Sequence, residues 1–184
     1  MTSMKAAATK MTYAQLCLLP DDRKRHELID GELIMTPAPT PKHQRIAGEL
    51  FSLLLEYVKA NALGEVYIAP VDVVFDDHTV LEPDLLFISQ ARRGIVGEDA
   101  IHGAPELVVE VLSPSTFYHD LRRKMTAYSQ FGVQEYWIVD PEKQTVELYG
   151  RGAEELQLTR RFSSEETLES SLLPGFRLAV NSNF

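Results

Sequence analysis

The feature that most constrains the fold is an apolar run of strand length that contains a single acid. In ELVVEVLS, residues 106–113, strand alternation places Glu110 between Val108 and Leu112 on one face, and the opposite face consists of Leu107, Val109 and Val111. Apolar residues on both faces are typical of a strand that is buried on both sides. An unpaired buried carboxylate costs several kcal/mol or becomes protonated, so Glu110 needs a partner. That partner is either a basic side chain in a structural ion pair or a cation shared with a second acid.

The composition is that of a globular protein with a single domain. The chain has 184 residues, of which 45% are apolar and 24% charged. One domain is expected over residues 1–184, with residues 1–11 disordered and residues 150–184 forming C-terminal strands. No apolar run approaches the roughly 18 residues of a membrane span, and the N-terminus has no apolar signal core. We therefore expect a cytoplasmic protein without a membrane partner.

Charge and cysteine content limit the partners further. The chain has 18 basic and 27 acidic residues and a net charge of −9. Because nucleic-acid binding needs a basic face, such a face is expected only locally, at residues 92–93, 122–124 or 160–161. Cys17 is the only cysteine, which excludes an internal disulfide and a Cys-rich zinc site, and it is expected to be a small core residue.

Apolar periodicity and turn residues predict an α/β fold with a mixed β-sheet flanked by helices. A short helix starts after Thr12, a hairpin turns at Asp30-Gly31, and a first long helix covers residues 42 to about 62. The segments EVYIAPVDVVFDD, LEPDLLFIS and PELVVEVLS are predicted strands, and residues 94–105 form a loop. A second long helix runs from Ser115 or Thr116 to Phe131, and four strands follow, in QEYWIVD, TVELYG, ELQLTRRF and LLPGFRLAV. No nucleotide-binding glycine motif is present.

A second acid, Asp84, follows Pro83 at the start of an apolar run. Alone, such an aspartate is typical of a turn or a cap. Beside a buried Glu110 on a neighbouring strand, it would complete a pair of carboxylates. Two carboxylates plus waters suit a hard cation such as Mg²⁺ or Mn²⁺, which can lower the pKa of a bound water and stabilise charge on a phosphate.

The third candidate is Lys124, in the second long helix. Helical spacing places it on the face formed by Phe117, Leu121, Met125 and Tyr128, whereas Arg123 points away from that face and Arg122 lies on its flank. Two interpretations stay open. Lys124 either packs its stem and extends its ammonium into water, or it lies beside the two acids as a cation that polarises a phosphate or orients the attacking water.

Several segments in this order resemble the Uma-type endonuclease family, which belongs to the PD-(D/E)xK, restriction-endonuclease-like superfamily. They are HELIDGELIMTPAPTPKHQRIAGEL, LEPDLLFIS, APELVVEVLSPST, and DLRRK with a tyrosine four residues later, followed by FGVQEYWIVDP. The resemblance runs from about Tyr13 to about Gly150. It implies a restriction-endonuclease-like mixed sheet flanked by helices, with a metal site at the ends of two strands.

The resemblance also implies roles for individual residues. Asp84 matches the aspartate of the PD motif, and Glu110 matches the second acid, 26 residues later. Leu112 stands where the superfamily has a lysine, and Lys124 on the following helix matches the place to which this family moves it. The backbone carbonyl of Val111 is implied as a further metal ligand.

Two more residues are weaker candidates. Glu27, in HELIDGEL, is either an additional acid of the site or a solvated hairpin residue. His43 lies on the apolar stripe at the start of the first long helix, where a structural histidine is the favoured interpretation and a site residue the alternative.

The leading functional hypothesis is an endonuclease that uses Mg²⁺ or Mn²⁺ to hydrolyse phosphodiester bonds, with DNA as the substrate. Asp84 and Glu110 would hold the ion, and Lys124 would stabilise charge or orient the attacking water. The net charge favours an alternative, a non-catalytic or partner-dependent nucleic-acid-associated binding protein that retains the fold. A third hypothesis, a hydrolase of small phosphate esters, requires a closed pocket. A homodimer would suit an enzyme that cuts both strands.

Overall fold

The architecture consists of a six-stranded mixed sheet with a long helix on each face and a second, five-stranded sheet beside it. The computed structural model describes residues 10–20, 22, 24–113 and 118–180. Its helices are α1 (Tyr13–Leu16), α2 (Pro41–Ala60) and α3 (Tyr118–Phe131), and a 3-10 helix covers Gln90–Ile95. The predicted α/β fold, a mixed sheet flanked by helices, is confirmed.

Thirteen strands lie in the described residues, and they form three sheets. They are β1 (Arg25–Ile29), β2 (Glu32–Thr36), β3 (Gly64–Ile68), β4 (Val73–Asp76), β5 (Thr79–Leu81), β6 (Leu85–Ser89), β7 (Ile101–His102), β8 (Leu107–Val111), β9 (Glu135–Asp140), β10 (Thr145–Arg151), β11 (Leu156–Phe162), β12 (Thr167–Glu169) and β13 (Arg177–Ala179). The six-stranded sheet has the order β11-β10-β9-β8-β6-β3, in which only β8 and β9 are parallel. The five-stranded sheet has the order β2-β1-β5-β4-β7, and β12 pairs with β13 alone.

The two faces of the six-stranded sheet pack against different helices. On one face Val109, Trp137 and neighbouring apolar residues pack against Ile46, Leu50 and Leu54 of α2. On the other face Val108, Tyr136 and Ile138 pack against Ala127 and Tyr128 of α3. Because successive strand residues alternate between these faces, β8 is buried on both sides, as its sequence predicts.

The predicted turns and caps form in the structure. Asp30 and Gly31 both have positive φ, 55° and 77°, and join β1 to β2 as the Asp-Gly signal predicts. Thr12 caps α1 together with Gln15 in a capping box. The predicted start of α3 at Ser115 or Thr116 lies outside the described residues, whereas its end at Phe131 is confirmed.

Three expectations were wrong. The segment EVYIAPVDVVFDD is not one strand, because it divides at Ala69-Pro70 into β3 and β4, which lie in different sheets. The predicted loop over residues 94–105 contains β7, which is short but pairs with β4. Cys17 is exposed at the end of α1 and does not belong to the core. No helix within the described ranges is long and apolar enough to cross a membrane.

Gly64 connects α2 to β3 and gives a test of this packing. Its φ is +152°, and a Cβ there would overlap the carbonyl oxygen of Ile88 and the backbone of Ser89. We expect Gly64→Ala to lower the free energy of unfolding by about 2–4 kcal/mol, because backbone must move to admit the methyl group. Chemical denaturation of the wild type and the variant, analysed with the same m-value for both, would measure the change.

Gly48 is the matched control, since it lies within α2 and a Cβ there meets nothing within 4 Å. Gly48→Ala should raise the free energy of unfolding by roughly 1 kcal/mol through helix propensity alone. If Gly64→Ala did not lower the free energy of unfolding, the close approach of β3 to β6 at Gly64 would be refuted.

Candidate active site

The pairing of β6 with β8 brings Asp84 and Glu110 together. Leu85 pairs with Val109 in antiparallel register, so Asp84, one residue before β6, lies next to Glu110 near the end of β8. The backbone N–H of Val111 donates a hydrogen bond of 2.9 Å to Asp84 Oδ2. Both acids are buried, with 3% and 6% of their surface exposed. The sheet register therefore positions two carboxylates at the edge of the protein core.

Asp84 is also held by two side chains from outside its own sheet. Arg25 Nη1, from β1, donates to Asp84 Oδ1 at 2.9 Å, and His43 Nε2, from α2, lies 2.9 Å from Oδ2. Burial alone would raise the pKa of Asp84, but the hydrogen bonds and charges of His43 and Arg25 outweigh it and hold that pKa below its usual value. Asp84 is thus an anion at neutral pH, and His43 Nε2 is the donor.

Glu110 pairs with Lys124, the residue of α3 selected from helical spacing. Lys124 Nζ donates to Glu110 Oε1 at 3.0 Å and lies 2.7 Å from Glu27 Oε1 on β1. The hydroxyl of Tyr128, one turn further along α3, donates to the same Glu110 oxygen at 2.8 Å. The Lys124 ammonium therefore does not extend into water. It joins α3 to strands β1 and β8, which belong to different sheets.

The protonation of this cluster is shifted by its own charges. Burial raises the pKa of Glu110 to about 7, since the nearby Asp84 and Glu27 carboxylates add to the desolvation and exceed the effect of Lys124. Burial alone would lower the pKa of Lys124, but Glu110 and Glu27 raise it above its usual value. Lys124 is therefore charged at neutral pH, whereas Glu110 changes protonation near pH 7.

All the residues that the sequence and the resemblance select for the site line one cavity of about 70 Å³. Its walls include Glu27, His43, Asp84, Glu110, Val111 and Lys124. The cavity is further lined by Arg25, which the sequence analysis did not select. The available signal was strand alternation, because Arg25 lies two residues before Glu27 on β1 and faces the same side.

Two buried atoms of the cavity walls have no hydrogen-bond partner within the described part of the chain. They are Glu27 Oε2 and His43 Nδ1, and both residues are over 90% buried. Since buried polar atoms are normally paired, these two atoms indicate an additional ligand or water in the cavity.

Glu27 is almost fully buried and lies in the protein core. The interpretation of Glu27 as a solvated hairpin residue is therefore wrong.

The donor set fits a hard divalent cation with incomplete protein coordination. Among the described residues, no group of three His, Cys, Asp or Glu side chains is arranged to hold an ion by itself. Mg²⁺ commonly takes one or two carboxylates and completes its shell with water and substrate phosphate. Glu110 Oε2 accepts no hydrogen bond from the described residues, whereas Asp84 already accepts three. An ion at this site would compete with Arg25 or His43 for Asp84.

Neighbouring residues of α3 lie outside this cavity. Arg123 donates to Glu32 Oε2 at 2.8 Å and so ties α3 to the β1–β2 hairpin. Arg122 is exposed and lines a different cavity. Of the three consecutive basic residues, Lys124 is thus the one that reaches the acids, in agreement with the helical spacing.

Comparisons with known proteins give a family and a fold. The model of the Uma2 family, described as "Putative restriction endonuclease", matches residues 11–181. Among solved structures, the chain resembles the crystal structure of a "putative nuclease belonging to DUF820" from Anabaena variabilis ATCC 29413, with a TM-score of 0.79 and 24% identity over 95% of this chain and 97% of that one. This likeness shows the fold. A comparison with curated proteins gives no match.

The raised pKa of Glu110 predicts how stability depends on pH in the absence of metal. The unfolded state releases this proton near the ordinary value of 4.5, and the folded state retains it to about pH 7. The wild type should therefore lose stability as pH rises through this window, by roughly 3 kcal/mol in total. Glu110→Gln removes this loss, so its melting temperature should rise relative to wild type between pH 5 and pH 8.

Glu56→Gln, at an exposed position of α2 across the sheet, is the control for this pH series. Its difference in stability from wild type should stay constant from pH 5 to pH 8, because this side chain lies far from the Glu110 cluster. Thermal unfolding of the three proteins across that range measures both effects. A Glu110→Gln difference that did not change with pH would mean that Glu110 is ionised throughout.

Proposed function

Since the chain belongs to the Uma2 family, described as "Putative restriction endonuclease", we propose that it is a nuclease that hydrolyses phosphodiester bonds in nucleic acid. The proposed substrate is DNA, and the proposed cofactor is Mg²⁺ or Mn²⁺. The family match confirms the resemblance inferred from the sequence motifs. We retain the sequence-based predictions of a single domain, a cytoplasmic location and a homodimer, in which two copies would bring one site to each strand.

One observation carries this proposal. Asp84, Glu110 and Lys124 line the same small cavity, and the Lys124 ammonium lies 3.0 Å from Glu110. Two carboxylates can hold a divalent ion, and a lysine can offset negative charge on a phosphate, so this set of groups suits hydrolysis of a phosphodiester bond. They come from two different strands and a helix, so their convergence supports a common chemical role.

Each residue has a role that follows from its contacts. Asp84 and Glu110, with the carbonyl oxygen of Val111, would hold the ion, which supplies activation of water and stabilisation of negative charge when bound. Lys124, fixed between Glu27 and Glu110, would place its ammonium near the phosphate and offset the charge that develops there.

Three other residues orient these groups. Arg25 and His43 keep Asp84 ionised and fix its carboxylate plane. Tyr128 holds one oxygen of Glu110, which leaves the other directed away from that hydrogen bond. The positions of the acids are thus set before any ligand binds, although an ion would have to displace Arg25 or His43 from one oxygen of Asp84.

The cavity at Asp84 is by itself too small to enclose a small phosphate ester. Pockets that enclose small substrates have volumes of roughly 300–1,000 Å³. The cavity at Asp84 has about 70 Å³, which suffices for an ion, a few waters or a phosphate oxygen. A substrate whose bulk lies outside the cavity, as in a polynucleotide, fits this geometry better.

Cleavage by acid variants tests the proposal. Asp84→Asn and Glu110→Gln should each reduce the rate of DNA cleavage in Mg²⁺ or Mn²⁺ by at least roughly 100-fold, about 2.7 kcal/mol of transition-state stabilisation, because an amide is a poor ligand for a hard cation. Glu56→Gln, at an exposed position of α2 outside the cavity lining, is the matched control and should cleave at nearly the wild-type rate.

The outcome also separates the competing functions. Wild-type rates in Asp84→Asn would contradict the nuclease assignment of this cavity. A wild-type protein that binds nucleic acid without cleaving it in either ion would instead favour the binding-protein alternative.

Metal binding should depend on pH. With a pKa of about 7, Glu110 is ionised in roughly 10% of molecules at pH 6 and 90% at pH 8, so the affinity for Mn²⁺ should increase by about tenfold across that range. Calorimetric titration would measure it. Glu110→Gln should lose binding, and Glu56→Gln should keep both the binding and its pH dependence. Equal affinities in wild type and Glu110→Gln would exclude Glu110 as a ligand.

A further inference from the structure

A second and larger cavity lies directly beside the candidate active site. It has a volume of about 430 Å³ and lies between α3 and the strands β9, β10 and β11. Leu112 and Leu121 line both cavities, so the two share a wall. Leu112 follows the strand that carries Glu110, and Leu121 lies one helical turn before Lys124. A ligand in the second cavity would therefore be adjacent to the proposed reaction centre.

The inner surface of this cavity suits a flat ring. It is formed by the side chains of Leu112, Leu121, Met125 and Ile138, with Tyr149 of β10 at one side. Tyr149 pairs with Tyr136 of β9, and the two rings lie 6.1 Å apart on the face of the sheet that packs against α3. Nucleobases pack on apolar and aromatic side chains regardless of their identity. The volume lies within the range of pockets that enclose small ligands.

The rim of the cavity is basic, unlike the chain as a whole. Arg122, Lys143 and Arg161 line it together with Asp140 and Glu147, which leaves one positive charge in excess in a chain of net charge −9. Lys143 pairs with Asp140 at 2.9 Å, and Arg161 Nε donates to Glu147 at 2.9 Å. Arg122 is exposed on α3, where its guanidinium is available to a phosphate.

We propose that this second cavity binds one unpaired nucleotide of the substrate strand, next to the phosphate that is cleaved. This inference rests on the proposed nuclease function and specifies its substrate. The base would lie against the apolar floor, and the phosphate would contact Arg122 at the rim. A base within a duplex is stacked and paired and does not enter a pocket of this size, so the strand must be single-stranded, bulged or frayed there.

Cleavage of three substrates of the same sequence tests the inference: a perfect duplex, a duplex with one unpaired nucleotide, and the single strand. The wild type should cleave the two substrates with unpaired nucleotides at least about tenfold faster, measured as kcat/KM. Thr145→Trp fills the cavity from β10, and Arg122→Glu replaces a positive side chain at the rim by a negative one. Both variants should lose the preference. Lys59→Glu is the control, with the same charge change at an exposed site on α2, across the sheet, and should retain it.

A direct binding measurement separates this inference from the nuclease function. Deoxyadenosine monophosphate is titrated into metal-free wild type and Thr145→Trp, after equal melting temperatures have shown that both are folded. Saturable binding by the wild type that Thr145→Trp abolishes supports the inference, even if no substrate is cleaved and the nuclease proposal fails. Equal cleavage of all three substrates, or cleavage and nucleotide binding unaffected by Thr145→Trp, would overturn the inference and leave the nuclease proposal intact.

Discussion

The rest of the site depends on the two ion pairs that the buried ammonium of Lys124 forms with Glu27 and Glu110. Glu110 lies in a strand buried on both faces, and its charge requires a partner on the α3 side. That partner also binds Glu27 of β1, so one side chain links the helix to both sheets. Breaking such a pair leaves a buried charge unpaired, whereas replacing it by apolar residues is often neutral or stabilising. Stability alone therefore does not account for three ionisable groups at this position, which supports the proposed chemical role.

The second sheet has a clear part in this arrangement. Its strand β1 contributes Arg25 and Glu27 to the cavity. Arg25 contacts Asp84, and Glu27 contacts Lys124, which is the partner of Glu110. The six-stranded sheet supplies Asp84 and Glu110 through the register of β6 and β8, and the two helices supply His43 and Lys124 from opposite faces. The cavity thus lies where both sheets and both long helices meet. Its geometry is set by packing of the whole core rather than by one loop.

Patterns within single elements predicted Glu110 and Lys124, whereas contacts that depend on long-range strand pairing were not predicted. Alternation in β8 identified Glu110, and helical spacing selected Lys124 from three consecutive basic residues, because each signal lies within one element. Arg25 contacts Asp84 across 59 residues of sequence, and no periodicity reports that contact. For the same reason the division of β3 and β4 between two sheets was not predicted: it depends on which strand each segment pairs with, which an apolar run of strand length does not specify.

The net charge of −9 is not evenly distributed over the chain, and this distribution bears on the proposed binding of nucleic acid. At physiological salt, charges separated by more than about 8–10 Å are largely screened. Exposed acids such as Glu142, Glu166 and Glu169 are paired with surface cations. Near the proposed path of the substrate, Arg122, Lys143 and Arg161 outnumber the two acids of the second cavity by one, and Lys124 is held beside Glu27 and Glu110. Local charge rather than the total therefore decides whether a phosphate approaches Asp84 and Glu110.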